Sequence, residues 1–492
     1  MSKYFNSWFL KICWILILGG IVARVYDLNR ESLWYDELLT VFQSNPEQIF
    51  SPGFFEEYIL PQKRPPLFNY ILSIWVFIFG NSELAVRGLS AFIGLLGIAA
   101  AFYFSKRIFS AKAAVIFTCF IACSYGAIWH SQEVRPYGLL ILVSIICHLL
   151  TIDIVREFSR GSSLPILKVS VLIVTLLVGS FSHYFGILIA GAIFTTILGA
   201  SLYFRKNVIP ISAGGLGTLV LFLPWVIYDI SSLTDSAKFF SSLKSDFWIR
   251  NENIPFYFAV LGRHLIGNIG NVPLFLGLIL LPFFVNFPKL KDIRILVTLF
   301  SASLFILFAI TISYLVFPII TERNLLILLP PFYILITYLV SANLNLSSNT
   351  FKVKLLHIFY ILAVTNMLLF TFYRDFFDAP LKQQVRESAE FIESVSKGKK
   401  ASFFINLYPR YKKVFNYYFS DHWRPRLIPF SRKTPDKIER VLADDCPVIL
   451  WAPASTRNAV MKQVRRLKLD EDDVQIKKFH KVFVVLEARK DE

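Results

Sequence analysis

The sequence predicts an α-helical polytopic membrane protein of about eleven transmembrane helices, with a small C-terminal α/β domain outside the cytoplasm. Three observations carry that prediction. The 492 residues are 55% hydrophobic and only 17% charged, against about 25% charged in soluble globular chains, and mean hydropathy is +0.56. Apolar runs of about 20 residues, the length that crosses a hydrocarbon core, recur through residues 1–372. From Tyr373 the pattern stops: the remaining 120 residues hold 25 Lys+Arg, 17 Asp+Glu and no run long enough to span. The formal charge of +17 does not point to nucleic acid, because membrane proteins use charge asymmetry to set their orientation. An aromatic content of 16% excludes a disordered or collagen-like chain. The five cysteines build no disulfide framework, since Cys13, Cys119, Cys123 and Cys147 fall in apolar runs and Cys446 stands alone.

Taken in order, the first run, 7–26, follows Lys3 and is followed by no small-residue cleavage site, so it reads as a retained span rather than a signal peptide. The run LFNYILSIWVFIF at 67–79 makes about 20 Å of helix, too short to span, and reads as re-entrant or interfacial. Spans follow near 85–105, 113–130, 136–152, 167–182, 184–204, 208–228, 272–288, 295–317, 325–340 and 355–372. With 67–79 not spanning, the short loops at 105–112, 153–168, 205–207, 289–294 and 341–354 share a side with the N-terminus. They hold Lys106, Arg107, Lys112, Arg156, Arg160, Lys168, Arg205, Lys206, Lys289, Lys291, Arg294, Lys352 and Lys354, which makes that side cytoplasmic. The charge then divides into +12 on the cytoplasmic side, −3 on the outer side and +8 in the tail, which recovers +17.

Two regions result: a membrane domain, 1–372, with a long first outer loop at 27–84, and a soluble domain, 373–492. In the latter, helix-like stretches (380–397, 409–419, 434–443, 455–467) alternate with the apolar strands 401–407 and 446–452, the pattern of an α/β unit. No Gly-rich phosphate loop follows its strands, and it reads as a packing or acceptor-docking module.

Polar residues stand out in the outer loops. The first carries Leu33-Trp34-Tyr35-Asp36-Glu37 and then Lys63-Arg64-Pro65-Pro66. Asp36 and Glu37 precede a helical pattern, so one reading makes Asp36 an N-cap and Glu37 a favourable first-turn charge; the other makes them an acid–base pair. The two are compatible, because an acid fixed at a helix start is a well-positioned base. The second loop, Trp129-His130-Ser131-Gln132-Glu133-Val134-Arg135-Pro136-Tyr137, sets Glu133 and Arg135 between apolar spans. Such charges are either an interfacial ion pair or face a functional cavity. His183 and Tyr184 follow in the third loop, and Arg263-His264 in the longer loop 229–271. A lone interfacial histidine is commonly structural, and His183, Tyr184 and His264 are otherwise candidates for substrate or metal contact. Arg323 opens the tenth span, and arginine is the residue for bidentate phosphate recognition. Carboxylates with guanidiniums at a membrane boundary suit a lipid-linked anionic substrate. Zinc-ligand spacing, Walker, nucleophile-elbow and Rossmann motifs are absent from the sequence.

In order, LWYDE, RPPLFNYILSIWVFIFGNSELAVRGLSAFIGLLGIAAAFYFSKRIFS, SQEVRPYGLL, SHYFG and ERNLLILLPP resemble the GT-C glycosyltransferases of the dolichyl-phosphate-mannose–protein mannosyltransferase group. The match is nearer to its bacterial branch, which includes the lipid A aminoarabinose transferase and the rhizobial lipopolysaccharide core transferases. The resemblance runs through roughly 30–340; the tail shares only its placement. It implies a transferase of the bacterial inner membrane, with its active site on the periplasmic side. The donor would be a polyprenyl-phosphate sugar and the acceptor a glycan, lipid or protein, with membrane lipids around it and no nucleic acid. It also implies that the catalytic base is the acid of the first-loop pair, Asp36 with Glu37 beside it, and that Glu133 is the second acid. The donor phosphate would meet Arg64, Lys63, Arg323 and Arg135. Some relatives carry an acid before the Pro-Pro pair that helps bind a divalent metal. Lys63-Arg64 stand there in this chain, so these cations take the metal's place or the metal is held otherwise.

A phosphate is already a good leaving group, so the reaction needs only a base for the acceptor hydroxyl and positive charge on the departing phosphate. A glycosidase, by contrast, needs a second carboxyl to protonate its leaving group. In-line attack at C1 inverts the sugar. The competing class is a transporter or flippase of a lipid-linked sugar; such proteins show internal repeats and mid-span charges. This sequence has no similarity between its halves, and its charges gather at one boundary. A polysaccharide ligase or polymerase shares the topology but has no need of the first-loop acid pair.

Overall fold

The structure is a computed structural model. It describes residues 2–59, 65–162, 164–231, 256, 292–315, 318–346, 350–373, 382–396, 402–405, 417–418, 426–429, 448–452, 457–466 and 474–487. The expected span at 272–288 and the helix-like stretch 434–443 lie outside them.

In chain order the helices are α1 (Ser2–Val25), α2 (Tyr35–Gln43), α3 (Leu67–Phe79), α4 (Glu83–Ile108), α5 (Ala111–Cys123), α6 (Tyr125–Trp129) and α7 (Tyr137–Ser159). They continue with α8 (Ile166–Ser182), α9 (Tyr184–Tyr203), α10 (Val208–Ser231), α11 (Ile293–Leu315), α12 (Leu329–Leu346), α13 (Thr350–Phe372), α14 (Val385–Ser396) and α15 (Arg457–Arg466). Among the described residues seven helices are long and apolar enough to cross a membrane, accompanied by shorter apolar helices that include α3, α5 and α8. The chain is a multi-pass membrane protein.

Contacts divide the chain into two compact units. The first comprises 1–26, 62–71 and 87–376. Its central helix is α7, whose apolar window is 83% buried, while that of Val208–Trp225 is only 17% buried. Outward residues such as Leu18, Ile209, Leu216 and Leu307 are apolar and exposed, the pattern of a surface that faces lipid. Inside, Phe120 stacks on Tyr333 with ring centroids 5.2 Å apart, and the Tyr360 hydroxyl donates to the Ile116 carbonyl at 2.9 Å.

The run expected as one span at 113–130 is two helices. Ser124 is extended (φ −61°, ψ 121°), ending α5 and starting α6. A helix end in an apolar setting leaves carbonyls without partners. Arg24, 1% exposed, supplies them: its guanidinium donates to Ala122 O at 2.6 Å, Ile121 O at 2.8 Å and Gly20 O at 2.8 Å. The approach needs a glycine, because a Cβ on Gly20 would lie 2.3 Å from Ala122 O. The span expected at 325–340 likewise opens with a 3₁₀ turn, Asn324–Leu328, before α12.

The second unit comprises 27–61, 72–86 and 377–492. Most of the loop 27–84, grouped by hydropathy with the membrane part, thus forms one compact body with the tail, while 62–71 belong to the first unit. The tail holds a five-stranded mixed sheet of β1 (Ser402–Ile405), β2 (Arg426–Pro429), β3 (Val448–Ala452), β4 (Val474–Phe479) and β5 (Val482–Glu487), in the order β2-β1-β3-β5-β4. The β2–β1–β3 part is parallel and β3–β5–β4 antiparallel. Two of these strands fall in the expected runs 401–407 and 446–452; β2, β4 and β5 lie outside them, and charges interrupt the apolar pattern of β2 and β4. Helix α14 buries Val385, Ala389 and Ile392, a helical stripe, and α15 buries Val460 and Val464.

Candidate active site

In the first unit the polar residues gather where α6 turns into α7. α6 ends at Trp129, and 130–136 form a tight loop held by backbone bonds, among them Ser131 N to Ile128 O at 3.0 Å and Arg135 N to Glu133 O at 2.7 Å. Gln132 fastens the loop to the end of α1, donating from Nε2 to Ala23 O at 2.7 Å and Tyr26 O at 3.2 Å. Glu133 and Arg135 are both buried. A charge so placed needs compensation, and Glu133 Oε2 lies 2.8 Å from Nδ1 of buried His130.

Tyr137 opens α7 and joins this pair to the remaining residues of the unit. Its ring packs edge-on against His130 at 5.1 Å and tilts against His183 at 5.7 Å. The Arg323 guanidinium carbon sits 5.9 Å from the ring centroid, within cation–π range. His183 caps α9, its Nδ1 accepting from Phe185 N at 3.2 Å. Tyr184 follows as the first residue of that helix and is half-buried.

His130, His183 and Arg323 therefore meet around one tyrosine, with Glu133 paired to His130 and Arg135 in the same loop. His130 and Tyr137 were not singled out from the sequence. The signal for them was the i, i+3 spacing of His130 and Glu133 and the aromatic position at a helix start.

Asp36 and Glu37 belong to the second unit. Asp36 is not the N-cap: α2 begins at Tyr35 with Trp34 as its cap residue, so Asp36 is the second helical residue. The turn starts two residues earlier than an N-cap at Asp36 would place it. Glu37 is the third, and its Oε2 accepts from Trp34 N at 3.4 Å, the backward half of a capping box. Its side chain is 0% exposed, and Lys382 Nζ lies 3.3 Å from Oε2. Asp36 is half-buried, and its carbonyl accepts from Thr40 Oγ1 at 2.8 Å. Nearby, the Tyr418 hydroxyl accepts from Leu33 N at 2.6 Å and donates to Glu83. Burial first, and then the Glu83 charge, push the Tyr418 phenol well above its ordinary pKa. Lys63, Arg64 and His264 lie outside the described residues. Among the described residues no three of His, Cys, Asp and Glu gather as a metal's ligands.

Residues 63–228 match the family model described as dolichyl-phosphate-mannose-protein mannosyltransferase. No curated protein sequence matches the chain. The fold is shared with solved structures of two other proteins. It is similar to ArnT from Cupriavidus metallidurans in the apo state, at 13% identity and a TM-score of 0.59 over 98% of this chain and 97% of that one. The same protein bound to undecaprenyl phosphate matches at 12% identity and TM-score 0.57, covering 98% of both chains. The apo oligosaccharyltransferase of Archaeoglobus fulgidus matches at 13% identity and TM-score 0.55, over 92% of this chain and 70% of that one.

Proposed function

We propose that this chain is a membrane glycosyltransferase moving a hexosyl or pentosyl group from a polyprenyl phosphate to an acceptor hydroxyl on a glycan, lipid or protein. The reaction inverts the sugar and takes place at the outer face of a bacterial inner membrane, with residues 1–372 as transferase body and 373–492 as a soluble domain on that side. The observation that carries the reading is the family match over 63–228, a segment that contains the buried Glu133–His130 pair and Tyr137. The fold likeness to a structure holding undecaprenyl phosphate supports a lipid-phosphate donor.

In this mechanism Asp36 removes the proton of the acceptor hydroxyl as its oxygen attacks C1 in line. The bond from C1 to the phosphate oxygen breaks, and the phosphate leaves with its charge met by Arg323 together with Arg64, Lys63 and Arg135. Glu133, oriented by His130, accepts a hydrogen bond from a sugar or acceptor hydroxyl, and His183, Tyr184 and His264 contact the substrate. Glu37 holds the helix that carries Asp36.

Two measurements test this. In a deletion strain, mass spectrometry should find one polyprenyl-phosphate sugar accumulating and one sugar missing from the envelope glycans; an unchanged inventory overturns the reading. Asp36→Asn should lower turnover by about 10²- to 10⁴-fold, the usual contribution of a general base, with expression and lipid binding kept. Near-normal turnover would remove Asp36 from the mechanism.

A further inference from the structure

Lys382 belongs to the C-terminal segment, yet its Nζ lies 3.4 Å from Oε1 and 3.3 Å from Oε2 of Glu37, 345 positions earlier. The Lys382 side chain is only 10% exposed, so salt screens the pair little. The same segment grips the start of α2 through its neighbours. Tyr35 N donates to Gln383 Oε1 at 3.3 Å. Ser32 Oγ donates to Gln383 O at 2.8 Å and accepts from Val385 N at 3.0 Å. Arg386 extends the grip to Asn29 O at 3.3 Å and Arg30 O at 3.2 Å.

We propose that Lys382 is a positioning residue for Asp36: the tail's cation holds ionised Glu37, and with it the first turn of α2, at the place where the base works. The inference rests on the glycosyl transfer above and deepens it, because it makes the C-terminal domain part of the catalytic scaffold. α2 has nine residues, and a helix that short has no stability of its own in water; tertiary contacts must set its position. Asp36 and Glu37 are consecutive in the first turn, so a shift that relieves one displaces the other. Without its cation, the Glu37 carboxylate stays buried in a medium that disfavours charge. The turn then moves to bring that carboxylate toward water, and the shift re-aims Asp36. Misplacement of a reacting group by about 1 Å costs on the order of 100-fold in rate.

The test uses full-length protein in lipid nanodiscs, with turnover counted per polyprenyl-phosphate binding site so that unfolded molecules do not enter. Lys382→Met should lower kcat by about 10- to 100-fold with donor KM within about twofold, and Lys382→Arg should restore most of the loss. Adding Glu37→Gln to Lys382→Met should recover activity, since the pair is then neutral. Wild-type kcat in Lys382→Met, or a loss that Lys382→Arg and the double variant both leave unrelieved, overturns the positioning role. A second readout needs no substrate: deuterium exchange of the peptide 35–43 should accelerate about tenfold in Lys382→Met and return to normal in Lys382→Arg. Unchanged exchange also overturns the proposal. A wild-type protein that transfers nothing from a polyprenyl-phosphate sugar counts against the functional reading instead, and the exchange result still decides the fate of Lys382.

Discussion

Asp36 and Glu37 are neighbours of the same chemistry in different surroundings. Glu37 is wholly buried against Lys382, while Asp36 is half-buried one residue away. The sequence marks both acids equally, because adjacency says nothing of which carboxylate faces a cavity. The partners that separate them, Lys382 for one acid and His130 for Glu133, are legible only through space. A lysine among 51 basic residues carries no mark of its own. Asp292 poses the same problem at the other end of the first unit. Burial alone would raise its pKa. Arg294 outweighs that, donating from its backbone N at 2.8 Å, Nε at 2.9 Å and Nη2 at 2.6 Å, and Tyr338 adds a bond at 3.0 Å. The net effect holds the Asp292 carboxyl below the usual carboxylate range. A depressed folded pKa contributes stability above the unfolded value that is lost as pH falls through the folded one. The melting temperature of wild type should therefore exceed that of Asp292→Asn at neutral pH, and the gap should close below about pH 4. A gap that persists or widens in acid would contradict this.

At the scale of elements, hydropathy located the helices well, since crossing a bilayer demands apolar length whatever the fold. It did not locate the break at Ser124. An apolar run reads as one helix unless a proline or charge interrupts it, and the device that satisfies the broken end, Arg24, sits about a hundred residues upstream. Helix corners are set by equally remote facts. α8 and α9 meet so closely that a Cβ on Gly186 would stand 2.1 Å from Gly179 O, whereas nothing lies within 4 Å of one on Gly199. Gly186→Ala should destabilise the protein by about 3 kcal/mol, the upper range for overpacking. Gly199→Ala should be neutral or slightly stabilising through helix propensity. Thermal unfolding of the two variants in one detergent decides the matter; equal melting points would refute the close approach. In the tail, the β4–β5 hairpin turns on His480-Lys481 with Lys481 at φ 55°. The turn residues that usually announce such a hairpin are Asn-Gly or Asp-Gly, and their lack hid both strands from the sequence reading.

For the whole molecule, the charge pattern predicts one orientation. A phosphatase reporter that folds only outside the cytoplasm should be inactive when fused after Arg160 and active when fused after Lys481; the reverse would overturn the eleven-span reading. The sequence by itself determined the membrane class and the helical spans. Hydrophobic length and charge bias act locally, and each segment carries them alone. Tertiary structure alone decided three things: that His130, His183 and Arg323 share Tyr137 while Glu133 pairs with His130, that Glu37 pairs with Lys382, and that 27–61 and 72–86 make one body with the tail. Burial and pairing depend on what folding brings alongside, and residues hundreds of positions apart leave no trace of one another in local composition.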